Sequence, residues 1–126
     1  MSMVLIYNLG SEKDAKLKML CRSMNIGSRT VEKYEYGHRL GYLLGLSKDS
    51  SVCEGEDFDN EMLYIAGLRG GMLNLFLDQL RRKKIGVPLK AVQTETNMGF
   101  SSYELYHELC AEREAIQRGA IAHGGD

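Results

Sequence analysis

The feature that most constrains the fold of this chain is one local pattern that occurs three times. A short apolar run is followed by a polar or glycine-rich turn, and the turn leads into a segment with helical spacing of apolar residues. The runs cover residues 4–9, 62–67 and 87–93. Continuous apolar runs of this length are typical of strands that are covered on both faces. Their alternation with helices predicts an α/β fold in which the three apolar strands lie parallel.

The segments between the strands carry recognisable helix signals. Ser11 offers a hydroxyl to the free amides of a first helix, with Asp14 three residues later as an approximate capping box, and Gly27 is predicted to end that helix. Ser101 and Glu104 form a full capping box at the start of the last helix. The helix between them has an apolar stripe at helical spacing, made of Leu73, Phe76, Leu77 and Leu80.

The middle of the chain is less regular. Residues 30–36 are too polar for a central strand, but Tyr34 and Tyr36 would share one face of an extended chain, which predicts an edge strand. Residues 38–46 predict a short helix, and residues 47–60 a polar, acidic loop. The whole chain, residues 1–126, is therefore expected to form a single α/β domain with a frayed tail at residues 119–126. It would contain about four mostly parallel strands alternating with helices, in two or three layers.

Composition and charge narrow the class of protein. Sixteen basic residues against seventeen acidic ones leave a formal charge of -1, so no basic surface for nucleic acid is indicated. No apolar run approaches the roughly 20 residues that a membrane helix needs, and the first residues do not resemble a secretory signal. The three cysteines are widely spaced and form no C-x-x-C pair. We therefore expect a cytoplasmic protein with no nucleic-acid or membrane partner, no metal site and no cofactor.

The second half of the chain resembles a known family. The similarity lies in residues 62–68, in the pattern P-L-K-A-V-x-T-x-T-N at residues 88–97, and in residues 103–105. These segments are similar to the family catalogued as domain of unknown function 3783, over about residues 62–113. The resemblance implies a compact cytoplasmic α/β fold and adds no catalytic residue, since no reaction is assigned to that family.

A candidate ligand site follows from the expected parallel sheet. The polar ends of parallel strands and the starts of the following helices meet at one edge, where ligands of α/β proteins bind. The free amides of helix starts and an arginine would favour an anion there. The predicted ligand-binding residues are Asn8, Ser11, Arg69, Gly70, Gly71, Thr94, Thr96 and Asn97. The alternative, which the residue types favour, is that Thr94, Thr96 and Asn97 bond the backbone of their own turn.

Two functions remain open at this point. No cluster of titratable residues indicates a reaction, and His38, His107 and His123 lie at no metal-ligand spacing. This favours a non-enzymatic interaction or regulatory module that binds a protein partner or itself through the Tyr34/Tyr36 edge. The alternative is the binding or conversion of a small anionic metabolite at the carboxyl ends of the strands. Catalytic residues are not assigned, and the pattern does not decide whether the protein is an enzyme.

Overall fold

The computed structural model describes residues 2–124 of the chain, with side chains to residue 118. The predicted frayed tail, residues 119–126, thus lies outside the residues whose side chains are described. Four strands and four helices alternate, with two 3-10 turns at Lys33–Glu35 and Asn97–Gly99. In chain order they are β1 (Met3–Tyr7), α1 (Ser11–Ser23), β2 (Gly27–Thr30), α2 (Leu40–Leu43), β3 (Met62–Ala66), α3 (Gly71–Arg82), β4 (Leu89–Val92) and α4 (Ser102–Gly124).

The four strands form one mixed sheet in the order β2-β1-β3-β4. The pairs β1–β2 and β3–β4 are parallel, which confirms an α/β fold with mostly parallel strands. The central pair is antiparallel, with Met3 opposite Ala66 and Tyr7 opposite Met62. The prediction that all three apolar strands run the same way is therefore wrong for β1 relative to β3 and β4.

The connection between β2 and β3 does not recross the sheet, unlike the one between β1 and β2. A strand of five residues is about 17 Å long, and α1, with thirteen residues, is about 20 Å long and can carry the chain back across the sheet. α2 has four residues and spans only about 6 Å. After α2, residues 44–61 bring the chain into β3 at the end of the sheet where β2 finishes, so β3 runs opposite to β1.

Helices cover both faces of the sheet, so the fold has three layers. Val4 and Ile6 of β1 face α1 and α3 and pack with Leu17 and Phe76. Leu5 and Tyr7 face the other way, toward α2 and α4. The core on that second face includes Tyr36, Leu40, Tyr64, Leu105 and Leu109. The central strands are apolar throughout because both of their faces are buried.

The helix ends confirm one capping prediction and correct two others. At α4, Ser101 N donates to Glu104 Oε1 at 3.1 Å and Glu104 N donates to Ser101 Oγ at 3.2 Å, which is the predicted capping box. At α1 the cap residue is Gly10, whose carbonyl accepts from Asp14 N at 2.8 Å, and the Ser11 hydroxyl makes no capping bond. Gly27 does not end α1 but begins β2.

The true end of α1 is a turn around Asn25. Asn25 has a φ of 59°, and Ile26 N donates to Cys21 O at 2.8 Å. α3 ends in the same way, with Lys84 at a φ of 57° and Ile85 N donating to Leu80 O at 2.9 Å. Asparagine tolerates the left-handed region better than most residues, so Asn25 is an ending signal that stands two residues before Gly27.

The edge strand follows α1 as predicted but uses other residues. β2 ends at Thr30, and Lys33–Glu35 form a 3-10 turn. Tyr36 is fully buried and Tyr34 is 84% exposed, so the two rings do not share a face. The predicted strand face shared by Tyr34 and Tyr36 is therefore wrong, because the chain turns where an extended strand was expected.

The acidic loop is anchored to the core by Phe58. This side chain is 5% exposed and lies between Tyr36 and Tyr106, with ring centroids at 4.6 and 4.2 Å. Asn8 Nδ2 donates to the carbonyls of Phe58 and Asn60 at 3.0 and 3.1 Å. These contacts fix the end of the loop on the face of the sheet that α2 and α4 cover.

Burial of Cys21 predicts a loss of stability at alkaline pH. The thiol is fully buried on α1, and burial raises its pKa from 9.0 to about 11. Between these values the unfolded chain releases the proton and the folded chain keeps it, so ionisation favours unfolding. We expect the free energy of unfolding to fall by about 1–3 kcal/mol from pH 9 to 11 through this group.

Urea titrations at pH 8, 9.5 and 11 measure this effect. Burial also raises the pKa of Tyr7 and Tyr64, so the comparison is made with Cys21→Ala, which keeps both tyrosines. The variant should be less stable at pH 8 and should lose less stability on going to pH 11. Equal losses in the two proteins would show that Cys21 does not contribute.

Candidate functional site

The residues predicted to form one ligand site are divided between the two ends of the sheet. Asn8 and Ser11 follow the carboxyl end of β1. Arg69, Gly70 and Gly71 follow β3, which runs the other way, and Thr94, Thr96 and Asn97 follow β4, which is parallel to β3. The antiparallel central pair therefore separates the first two residues from the other six.

At the first end of the sheet, Asn8 has a structural role. Its amide donates to two carbonyls of the acidic loop, and its Oδ1 accepts from Tyr36 Oη at 3.1 Å. Ser11 lies at the start of α1 and lines a separate cleft of about 430 Å³. Lys13 borders that cleft, but its ammonium group is already bonded to Glu61 and to the Gly86 carbonyl.

At the other end, Arg69 borders a cleft between the end of α1 and the start of α3. Gly70 has a φ of 52°, and no side chain caps the first amides of α3. The cleft measures about 680 Å³ and also contains Gly67, Ser2 and a set of apolar side chains. The apolar set consists of Met3, Met24, Ile26, Leu68 and Met72.

The turn after β4 is held by its own hydrogen bonds. Thr94 N donates to Asn97 Oδ1 at 2.8 Å, and Asn97 N donates to Thr94 Oγ1 at 3.0 Å. Asn97 Oδ1 also accepts from Tyr64 Oη at 2.5 Å. The structure thus shows the self-bonded turn for Thr94 and Asn97, while the Thr96 side chain makes no hydrogen bond within the described part of the chain.

Sequence reasoning missed a groove between β4 and the first turns of α4. The groove has a volume of about 390 Å³, and the turn of residues 94–97 closes one of its ends. Apolar side chains of β4, of α4 and of the segment between them line it, namely Ala91, Phe100, Leu105 and Leu109. Leu105 and Leu109 lie four positions apart, which places them on one face of α4. The groove is open because no strand pairs with the outer side of β4 in the described sheet. Local sequence patterns do not encode this strand order.

β4 forms the outer edge of the sheet beside this groove. Gln93 N donates to Ile65 O at 2.9 Å, so residues 89, 91 and 93 direct their backbone polar groups toward β3. The alternation of a strand then turns the N–H and C=O groups of Lys90 and Val92 outward. The Val92 carbonyl already accepts from Asn97 Nδ2 at 3.0 Å. Both groups of Lys90 and the N–H of Val92 remain for another strand.

Two glutamates form the outer wall of the groove. Glu108 and Glu112 are exposed, lie one helical turn apart on α4, and have no ion-pair partner within residues 2–118. Other carboxylates on the helices do form ion pairs, for example Asp14 with Lys18 and Asp78 with Arg81. The one basic residue that lines the groove is Lys90, and its ammonium donates to the Val87 carbonyl at 2.6 Å. The wall facing a bound segment is therefore acidic.

Other kinds of site receive less support. In the described residues, no group of three or more His, Cys, Asp and Glu side chains is placed to hold a metal ion. No described helix has both the length and the apolar character required to cross a bilayer. His38 stacks on Tyr42 at 4.7 Å, and its Nδ1 is buried without a hydrogen-bond partner, but no acid, base or nucleophile is bonded to it.

The fold and the groove define a small three-layer α/β protein built of two βαβ units that meet through an antiparallel pair of strands. The family model described as Domain of unknown function (DUF3783) matches residues 61–116, from the start of β3 well into α4. This match confirms the resemblance predicted from the sequence and contains the whole groove. No curated protein and no solved structure matches the chain significantly.

Proposed function

We propose that the protein is a non-enzymatic interaction module that binds an extended segment of a partner protein beside β4. The observation that carries this proposal is the open edge of β4 next to the apolar groove. Extended peptides commonly bind by adding a strand to a free sheet edge, with alternate side chains entering pockets beside it. Lys90 and Val92 would supply the backbone bonds, and Leu105 and Leu109 the apolar floor.

The expected affinity is modest. Three backbone hydrogen bonds contribute about 0.5–1.5 kcal/mol each, and burial of one leucine of the peptide adds about 1.5–3 kcal/mol. Part of this gain offsets the ordering of the peptide. A dissociation constant of 1 mM corresponds to about 4 kcal/mol, so a short neutral peptide should bind with a constant of about 0.1–1 mM.

Titration of the ¹⁵N-labelled protein with the neutral peptide Thr-Leu-Thr-Gln-Thr-Gln-Thr tests the proposal. We expect saturable shifts of the amide signals of Lys90 and Val92. Val92→Pro removes one outward N–H without breaking the bonds between β3 and β4, and it should weaken binding about three- to tenfold, as expected for one net hydrogen bond. Ser28→Pro, at an outward amide of β2 on the far edge, is the matched control.

Several outcomes would contradict the proposal. Equal affinities of the Val92→Pro and native proteins would exclude strand addition at β4, as would shifts confined to another surface. A peptide N-methylated at the residues facing β4 tests the same bonds if the variant does not fold. Sedimentation of the protein alone tests whether it forms a dimer as its concentration rises. A dimer that pairs through β4 would mean that a second copy of the chain, and not a partner protein, occupies this edge.

The cysteines support a cytoplasmic setting for this function. Cys21, Cys53 and Cys110 are all free thiols. Small proteins of oxidising compartments commonly rely on disulfides, whereas free thiols are usual where the compartment is reducing. We therefore propose a cytoplasmic partner.

A second candidate function is the binding of a small anion at Arg69. The favouring observation is that Arg69 is exposed at the mouth of the 680 Å³ cleft, beside the uncapped amides of α3, with no ion-pair partner among the described side chains. A thermal-shift screen of phosphorylated and carboxylated metabolites should then find a stabilising compound, and Arg69→Ala should remove its effect. An unchanged melting temperature across the screen would exclude this function.

A further inference from the structure

We infer that the groove beside β4 takes a segment with one apolar and two basic side chains at alternating positions on the face turned toward α4. The inference rests on the proposed strand addition and names the chemistry of its partner. Its basis is the combination of the apolar floor, the open edge of β4 and the unpaired carboxylates of Glu108 and Glu112 in one groove.

The order of the lining residues sets the order of the side chains in the partner. Of the lining residues, Phe100 and Leu105 are the first along the chain after the turn of residues 94–97, so the apolar side chain is assigned to that end of the groove. Glu108 and Glu112 follow along α4. A bound strand that starts at the closed end therefore meets the apolar wall first and the two carboxylates next.

The spacing of the carboxylates matches the repeat of a strand. Residues four apart in a helix are separated by about 6 Å along its axis, and residues two apart in a strand by about 6.7 Å. Two basic side chains on the same face of an added strand can therefore reach Glu108 and Glu112 together. An acidic segment would meet like charges at both positions.

The charges around the groove favour a basic partner over a neutral or an acidic one. Lys90 is the basic residue of the lining, and its ammonium is directed to the Val87 carbonyl at the start of the strand. Glu95 is exposed in the turn beyond the groove and adds to the acidic character of this end of the sheet. Among the side chains described, up to residue 118, neither Glu108 nor Glu112 has an ion pair that it would have to break to bind a cation.

Three matched peptides measure this preference. The first is Thr-Leu-Thr-Lys-Thr-Lys-Thr, and the other two have Gln or Glu in place of both lysines. Each peptide is also made with its sequence reversed, because a strand can add to the edge of β4 in either direction. At low ionic strength we expect the Lys peptide to bind about 3- to 20-fold more tightly than the Gln peptide, as for two exposed ion pairs. The advantage should shrink in 0.5 M salt.

The double variant Glu108→Lys/Glu112→Lys should reverse the order, so that the Glu peptide binds best. Glu114→Lys changes the same charge on another side of α4 and should leave the order unchanged. Equal affinities of the Lys and Glu peptides for the native protein would overturn the inference, as would an order unaffected by the double variant. In those cases binding of the Gln peptide at β4 would still support the proposed function, whereas loss of binding by all three peptides would contradict both.

Discussion

Replacing Phe58 with alanine is expected to lower the free energy of unfolding by about 3–5 kcal/mol. The side chain is almost completely buried and stacks between Tyr36 and Tyr106, so its removal leaves a cavity among aromatic rings that cannot collapse easily. The same change should release the acidic loop, residues 47–60, from the core. Phe58 is the one residue of this loop that is buried. Chemical denaturation measures the first effect.

Limited proteolysis measures the second effect. A protease specific for glutamate should cleave after Glu54 and Glu56 in the Phe58→Ala variant under conditions where the native protein remains intact. Tyr34→Ala is the matched control, since this aromatic side chain is 84% exposed and its removal should change stability by no more than about 0.5 kcal/mol. If Phe58→Ala were as stable and as resistant as Tyr34→Ala, the loop would not depend on this contact.

Replacing Asn97 with alanine is expected to cost about 2–4 kcal/mol. Its side chain bonds Thr94 N, the Val92 carbonyl and the hydroxyl of Tyr64. Loss of these bonds leaves the Tyr64 hydroxyl without its acceptor and frees the turn, and an unsatisfied buried group alone costs about 1–3 kcal/mol. The result would identify Asn97 as a structural residue of the turn, independent of any ligand.

Thr96→Ala is the control for Asn97→Ala, because Thr96 lies in the same turn and its side chain makes no hydrogen bond to the described residues. Its stability should lie within about 0.5 kcal/mol of the native value. Urea unfolding of both variants at pH 7 decides the matter. Two variants of equal stability would mean that the three bonds of Asn97 contribute nothing to folding.

The parts of the fold that were predicted from the sequence are those determined by neighbouring residues. β3 and the stripe of α3 follow from hydrophobic spacing, and the capping box of Ser101 and Glu104 follows from two side chains three positions apart. The family resemblance also lies in this half of the chain. These signals involve residues only a few positions apart in the chain. They can therefore be read without knowing the tertiary structure.

The parts that were missed depend on pairing between distant segments. The direction of β3 depends on where the long connection from β2 ends, and no local pattern in residues 31–61 shows that this connection returns to the same end of the sheet. The burial of Tyr36 depends in part on Phe58, twenty-two positions away, so the local pattern that predicts an edge residue cannot include it. The groove beside β4 was missed for the same reason, since it exists only where β4 has no outer neighbour and α4 overlies it.

The antiparallel pairing of β1 with β3 also has an electrostatic consequence. Each helix of a βαβ unit runs opposite to its strands, so α1 and α3 lie on one face of the sheet with their axes opposed. Their macrodipoles, each equivalent to about half a unit charge at either terminus, largely cancel instead of adding. A parallel α/β sheet gathers the positive poles of its crossover helices on one side and attracts phosphates there, whereas α1 and α3 place one such pole at each end of this sheet.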